Sequence, residues 1–145
     1  PSDVTIDRVR VSDTHQLGIS LWDSDGDISA SVVDSVLPRG DGLVGDAISI
    51  AGTGNVVVDG VLMTNAVRAG LSCFGAAVEL RDNEFRCNAI DLNGETWGGT
   101  PFALDDLGGN ACGCGDSWTC KVQSSSLSPP SPSEDEELPT IEEPD

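Results

Sequence analysis

The sequence predicts an all-β fold, a parallel β-helix (solenoid) of about four rungs closed on its C-terminal side by a cysteine-stapled cap. Three observations predict it. Short segments of alternating aliphatic and polar residues recur with a period in the low twenties. The spaces between them leave no room for a helix. The composition favours strands and turns: 17 Gly, no Tyr and 4% aromatic residues leave valine, isoleucine and leucine to supply the core, and β-branched residues in short bursts between glycine-rich turns read as strands.

Four segments match one another: "GISL" (18–21), "AISI" (47–50), "GLSC" (70–73) and "AIDL" (89–92). Each reads small, aliphatic, polar, aliphatic. In a strand this alternation puts both aliphatics on one face and the polar residue on the other. A second set precedes each of them: "VTIDRVRV" (4–11), "ISASVVDS" (28–35), "VVVDGVLM" (56–63) and "VELRDNEF" (78–85). One insertion, "LPRGDGLVGD" (37–46), lengthens the period. A repeat this short cannot bury its aliphatics alone, but stacked repeats can, in columns along the axis. The expected inward columns are Ile6/Ala30/Val58/Leu80, Ile19/Ile48/Leu71/Ile90 and Leu21/Ile50/Cys73/Leu92. The expected outward ladder beside them is Ser20/Ser49/Ser72/Asp91. Neighbouring strands should pair in parallel, about 4.8 Å apart.

Three stretches follow from this pattern. Residues 1–93 are rungs. The chain opens almost at once on a strand, so further rungs or another domain are expected upstream of residue 1. Residues 94–123 do not repeat and are expected to cap the open end, whose bare core and unpaired edges need covering. Residues 124–145 form an acidic, Pro- and Ser-rich tail, expected to be disordered or to lie on the body as a peptide.

With the repeated strand, the "VTIDRVRV"-type strand preceding it and the turn asparagines Asn83 and Asn88 in view, residues 3–95 resemble the right-handed parallel β-helix repeat family of the pectate-lyase-like superfamily. The terminal "GGNACGCG…CKVQSSSLSPP" also resembles the end segment of secreted bacterial β-helix proteins. The resemblance implies a right-handed coil and an extracellular or cell-surface location. It implies little about activity, since lyases, hydrolases, adhesins and surface proteins share the fold.

Formal net charge is −18, from 25 acidic against 7 basic residues. Seven of the acids and none of the basic residues lie from Ser124 onward, leaving 18 against 7 on the body. Such a surface repels nucleic acid and anionic membranes. No apolar run approaches a membrane span.

The five cysteines are Cys73, Cys87, Cys112, Cys114 and Cys120. Cys73 takes an inward column position and is expected to be free and buried. The other four suit disulfides, with Cys87–Cys112 and Cys114–Cys120 as the expected pairing. Zinc is the rival, but C-x-C is not the usual structural spacing and the single His15 lies rungs away. Redox chemistry would want C-x-x-C at a helix start. Disulfides would imply an oxidising compartment.

"WDSDGD" (22–27) offers Asp23, Asp25 and Asp27 at alternate positions, with Asp34 in twelfth place, as a possible calcium loop. Its sixth position is Ile28 rather than the required Gly, so a plain β-turn competes. "RGD" (39–41) sits in the insertion without structural context. Trp22 is a candidate for glycan contact, because an aromatic face suits the apolar face of a sugar. Trp97 and Trp118 are expected to serve as cap core. Asp59 and Arg81 should stack as an ion pair, and Asn83 and Asn88 should bond to neighbouring turn backbone.

No catalytic residue emerges. The outward ladder holds one carboxylate and no base, whereas sugar-cleaving members of the resembled superfamily cluster carboxylates, or hold calcium beside a basic residue. The expectation is a non-catalytic C-terminal portion of a secreted or cell-surface β-helix protein. Its role would be scaffold, adhesion or contact with polysaccharide or cell-surface glycan, without a required cofactor. The alternative is the end of a polysaccharide lyase or glycoside hydrolase with its chemistry upstream.

Overall fold

A computed structural model describes residues 2–40 and 44–130. Among these residues the chain forms fifteen strands and no helix. They fall into five turns of three. The first holds β1 (Ser2–Asp7), β2 (Arg10–His15) and β3 (Leu17–Trp22), and the second β4 (Ser24–Ser29), β5 (Val32–Leu37) and β6 (Asp46–Ala51). The third holds β7 (Asn55–Asp59), β8 (Leu62–Ala66) and β9 (Ala69–Phe74), and the fourth β10 (Ala77–Arg81), β11 (Glu84–Arg86) and β12 (Ile90–Glu95). The fifth holds β13 (Ala103–Asp106), β14 (Ala111–Gly113) and β15 (Val122–Gln123). Three parallel five-stranded sheets result: sheet A (β1-β4-β7-β10-β13), sheet B (β2-β5-β8-β11-β14) and sheet C (β3-β6-β9-β12-β15). The parallel β-solenoid is therefore as predicted, with one more turn. The segment expected only to cap the stack also contributes a short fifth turn.

The corners explain how so short a repeat closes. Between sheets A and B, each of the first four turns bends at a residue of positive φ: Arg8 (55°), Ala30 (47°), Gly60 (68°) and Asp82 (55°). Positive φ recurs near the end of each sheet-B strand, at Asp13, Ser35 and Asn65 within β2, β5 and β8 and at Cys87 just past β11. A left-handed residue turns the chain sharply without a loop, and Asp and Asn tolerate that conformation better than bulkier types. At the corners between sheets A and B each amide then bonds the corner of the next turn, as in Ala30 N–H to Asp59 O and Gly60 N–H to Arg81 O, both at 3.0 Å.

This corrects one predicted column. Ala30 is a corner residue; Ile28 takes the inward place, paired with Ile6 on one side and Val58 on the other. Two columns in sheet C also shift by two residues at the fourth turn. Leu92, not Ile90, stands opposite Leu71, and Gly94 stands opposite Cys73. A shift of two keeps every side chain on its face, so the hydropathy pattern alone could not detect it. The outward ladder accordingly reads Ser20/Ser49/Ser72/Asn93 rather than ending in Asp91.

The core runs along the axis. Ile28, Val33, Ile48, Val58, Met63, Leu71 and Phe85 are fully buried. Asparagine seals the corners, as predicted. Asn83 Oδ1 accepts from Val61 N–H at 2.9 Å while its Nδ2 donates to Val58 O at 2.8 Å. Asn88 does the same between Ala66 N–H and Met63 O. Asn110 extends the Asn83 ladder into the fifth turn, accepting from Asn83 N–H and donating to Leu80 O. Each asparagine thus satisfies one donor and one acceptor that the corner leaves open. Asp59 and Arg81 stack in register with charged atoms 4.0 Å apart, half-exposed.

Candidate functional site

The cysteines come first, because they shape the end of the stack. Cys87 bonds to Cys114 and Cys112 to Cys120, with Cα–Cα distances of 4.5 and 5.1 Å. All four pair as expected, but the expected partners are exchanged. Register gives the reason. Cys112 lies opposite Phe85, so it points into the core, where it is fully buried. Cys87 is a corner residue whose amide bonds Gly113 O, which brings the next residue, Cys114, directly over it. The Cys87–Cys114 bridge therefore runs along a corner column, and Cys112–Cys120 ties the returning chain to the core. Cys73 is free and buried, its Sγ 3.1 Å from Ala76 O. Burial pushes its thiol up to about 11, so it is inert at neutral pH.

The carboxylates of the "WDSDGD" stretch do not converge. Asp23 sits at a corner with φ 46° and its Oδ1 accepts from Thr53 N–H at 2.8 Å. Asp25 accepts from Asn55 N–H at 2.8 Å, and Asp27 is exposed on β4. Asp34 lies on sheet B, bonded by Asn65 Nδ2 at 3.0 Å. Asp23 and Asp25 thus tie the second turn to the third. Among the described residues no group of three or more His, Cys, Asp or Glu side chains is gathered as a metal site would require. His15 ends β2, exposed, its Nδ1 3.4 Å from Pro38 O. Asp41 of the "RGD" tripeptide lies outside the described residues.

The tryptophans overturn an expectation. Trp97 and Trp118 are not cap core: they are 42% and 54% exposed. Each anchors an antiparallel bridge, Trp97 with Thr100 and Trp118 with Cys112, which holds its ring outside the stack. Phe102, Leu104 and Cys120 pack against the end of the core instead. Trp22 ends β3 in the first turn, half-buried.

Trp118 lines a crevice of about 490 Å³ together with Asn88, Ile90, Asp91, Lys121 and Gln123. The crevice opens between β12 and the chain returning from the second disulfide. Burial pushes the Asp91 carboxyl above its ordinary value, opposed by a hydrogen bond with Asn88 and by the Arg86 charge. Lys121 is the sole lysine of the chain and is exposed. An indole face, a carboxyl, an ammonium and an amide thus share one concave surface. The site was hidden in the sequence because Asp91, read as the fourth rung of the ladder, lies far along the chain from Trp118. The polar neighbours Asp116, Ser117 and Thr119 were the available signal that Trp118 faces water.

The outer face of sheet C is the other unusual surface. Ser20 is exposed, but Ser49, Ser72, Phe74 and Asn93 are fully buried although they point away from the core. The chain after β15 lies against this face. Ser124 Oγ donates to Glu95 Oε1, Ser125 N–H donates to Asn93 Oδ1 at 3.1 Å, and Arg68 Nη1 donates to Ser128 O at 3.1 Å. This is the tail lying on the body, for residues 124–130; the tail beyond is outside the described residues.

No protein-family profile, no curated protein and no solved structure matches this chain.

Proposed function

We propose that this chain is a non-catalytic scaffold of a secreted or cell-surface parallel β-helix protein, and that it contacts glycan through the Trp118 crevice. The half-exposed Trp118 ring carries the reading. Leaving a large apolar face in water is unfavourable unless something covers it in use, and an aromatic face flanked by polar groups suits a sugar ring, whose faces are apolar and whose rim is hydroxyl. Asp91 can accept from hydroxyls, Lys121 can donate to them, and Gln123 can do both. The resemblance to pectate-lyase-like repeats points toward the same ligand class.

Contact rather than cleavage is favoured by the lining. Among its described residues Asp91 is the one carboxyl, whereas hydrolysis of a glycosidic bond ordinarily uses a pair. The two disulfides fit an oxidising, extracellular setting. No helix among the described residues is long and apolar enough to cross a membrane.

A glycan-array screen of the intact chain, run in calcium and again in EDTA, tests the proposal. We expect at least one glycan class to bind. Trp118→Ala should weaken binding at least about tenfold, while Trp22→Ala leaves it unchanged. Binding that disappears in EDTA would mean that a divalent ion makes the contact, and would overturn recognition by the Trp118 face and its polar neighbours alone. Silence across the array in both conditions would overturn the reading.

A further inference from the structure

We propose that the outer face of sheet C is a binding groove, and that residues 124–130 are its intramolecular occupant: a releasable strap that masks the groove. The ladder Ser20/Ser49/Ser72/Asn93 runs in register up four turns. Such a row of neutral polar side chains on a flat parallel sheet belongs to a face built for water or for a ligand. Yet only Ser20, at one end, is exposed; the other three are buried.

The strap holds by few contacts. It forms no strand beyond Gln123, and its described bonds to the body join Ser124 to Glu95, Ser125 to Asn93 and Gln123, and Ser128 to Arg68. Arg68 is a prepared clamp. Its Nε and Nη2 hold the buried Asp46 carboxylate in a two-point pair at 2.7 and 2.5 Å, leaving Nη1 aimed outward at the strap carbonyl. The far end of the strap tucks in, with Pro130 buried. A cavity of about 580 Å³ remains between its residues 126–130 and Pro38, Val44, Val67 and Arg68.

The closed state also leaves polar groups dry. Ser49 Oγ, Ser72 Oγ and Asn93 Nδ2 are buried without a hydrogen-bond partner. Native interiors seldom tolerate such groups, because each has lost water and gained nothing in return. Three of them stand along one ladder, on the face to which the strap bonds at Asn93 and Glu95, and they mark a cover that leaves the groove's polar groups unmet. Opening returns all three to water, which offsets part of what the strap gains by docking. The strap is therefore poised to leave, as a cooperative core strand is not.

The chain supplies its own means of testing this. Lys121 is the sole lysine, is exposed, and directly follows Cys120, which is held by its disulfide. A lysine-specific endoproteinase acting on the unreduced full chain cuts after Lys121 and frees β15 together with the strap while the staples stay intact. We expect the strap peptide to separate from the body on gel filtration. The body should then rebind a fluorescent synthetic peptide of residues 122–145 saturably and in competition with unlabelled peptide. The Ser125→Pro peptide, which lacks the N–H that reaches Asn93, should bind about three- to tenfold more weakly. A body that keeps its β-sheet circular dichroism but binds no peptide would overturn the proposal.

Hydrogen exchange on the uncut chain gives a second measurement that does not depend on the cut body staying folded. The Ser125 amide should exchange at least about a hundredfold faster than the β9 amides. Equal protection would mean that the strap opens only with the core, and would also overturn the proposal. Neither measurement involves glycan, so the strap and the Trp118 crevice stand or fall separately.

Discussion

The first and last turns of the solenoid solve the same problem in different ways. In the first turn, Val4, Ile6 and Val11 face inward but are only partly buried, and nothing covalent holds β1 to β3. The fifth turn is shorter, yet it is pinned by two disulfides, roofed by Phe102 and Leu104, and sealed by Asn110. Between them, the third turn buries every residue of β9. An inward position in this fold is thus not a fixed environment. Its burial depends on how many turns stack above and below it, and the end turn with the weakest sheet pairing carries the covalent reinforcement.

Substitutions along one column measure that gradient. Val11, Val33, Met63, Phe85 and Cys112 stand in register. Phe85→Ala should have the largest effect, about 3–5 kcal/mol, because a fully buried ring leaves a cavity that neighbouring turns cannot refill. Val33→Ala should cost about 2 kcal/mol, and the chemically identical Val11→Ala less than about 1 kcal/mol. Urea unfolding of the oxidised chain checks all three. Equal costs at Val11 and Val33 would break the comparison.

Removing the corner staple with Cys87→Ser and Cys114→Ser opens a bridge of sequence separation 27 and should cost about 2–4 kcal/mol. Hydrogen exchange should then show faster opening of β13 and β14 while β4 to β9 keep their protection. A uniform loss across all turns would mean that the fifth turn is not a separate unit.

Asn83→Ala should cost about 1–3 kcal/mol, since Val61 N–H and Val58 O lose their side-chain partner in a buried corner. Arg81→Ala, at the half-exposed pair with Asp59, should fall below about 1 kcal/mol by the same measurement.

Two carboxyls give the smallest effects, with opposite signs. Burial raises Asp91 above its ordinary 3.8, so its contribution to stability increases as pH falls through the raised folded value and levels off below 3.8. Hydrogen bonds from Asn65 and Ser35 lower Asp34, so its contribution is complete above 3.8 and is lost as pH falls through the lowered folded value. Both groups are only partly buried, and solvent screening keeps either effect small. Subtracting the pH–stability curve of Asp91→Asn from that of the parent chain should isolate the first, and Asp34→Asn the second. A flat difference curve for Asp91→Asn would show that its burial has no energetic consequence.

The sequence by itself determined the architecture, because a short aliphatic repeat can bury itself only by stacking. Strand faces were legible for the same reason: side-chain direction has a period of two, so Ile19, Ile48 and Leu71 could face only one way. The asparagine seals were legible as well, since a corner's orphan amide and carbonyl call for a short side-chain amide. Register was not. A slip of two preserves every face, and only the backbone's left-handed corners decided that Ile28 replaces Ala30 and Leu92 replaces Ile90. The disulfide pairing followed from that register, since a corner cysteine can reach only the corner above it. Whether an outward side chain meets water was likewise decided in three dimensions. Trp118 is held outside the stack by its bridge to Cys112, and Ser72 is buried on a face that its polarity marks for solvent, because covering depends on segments distant in the chain.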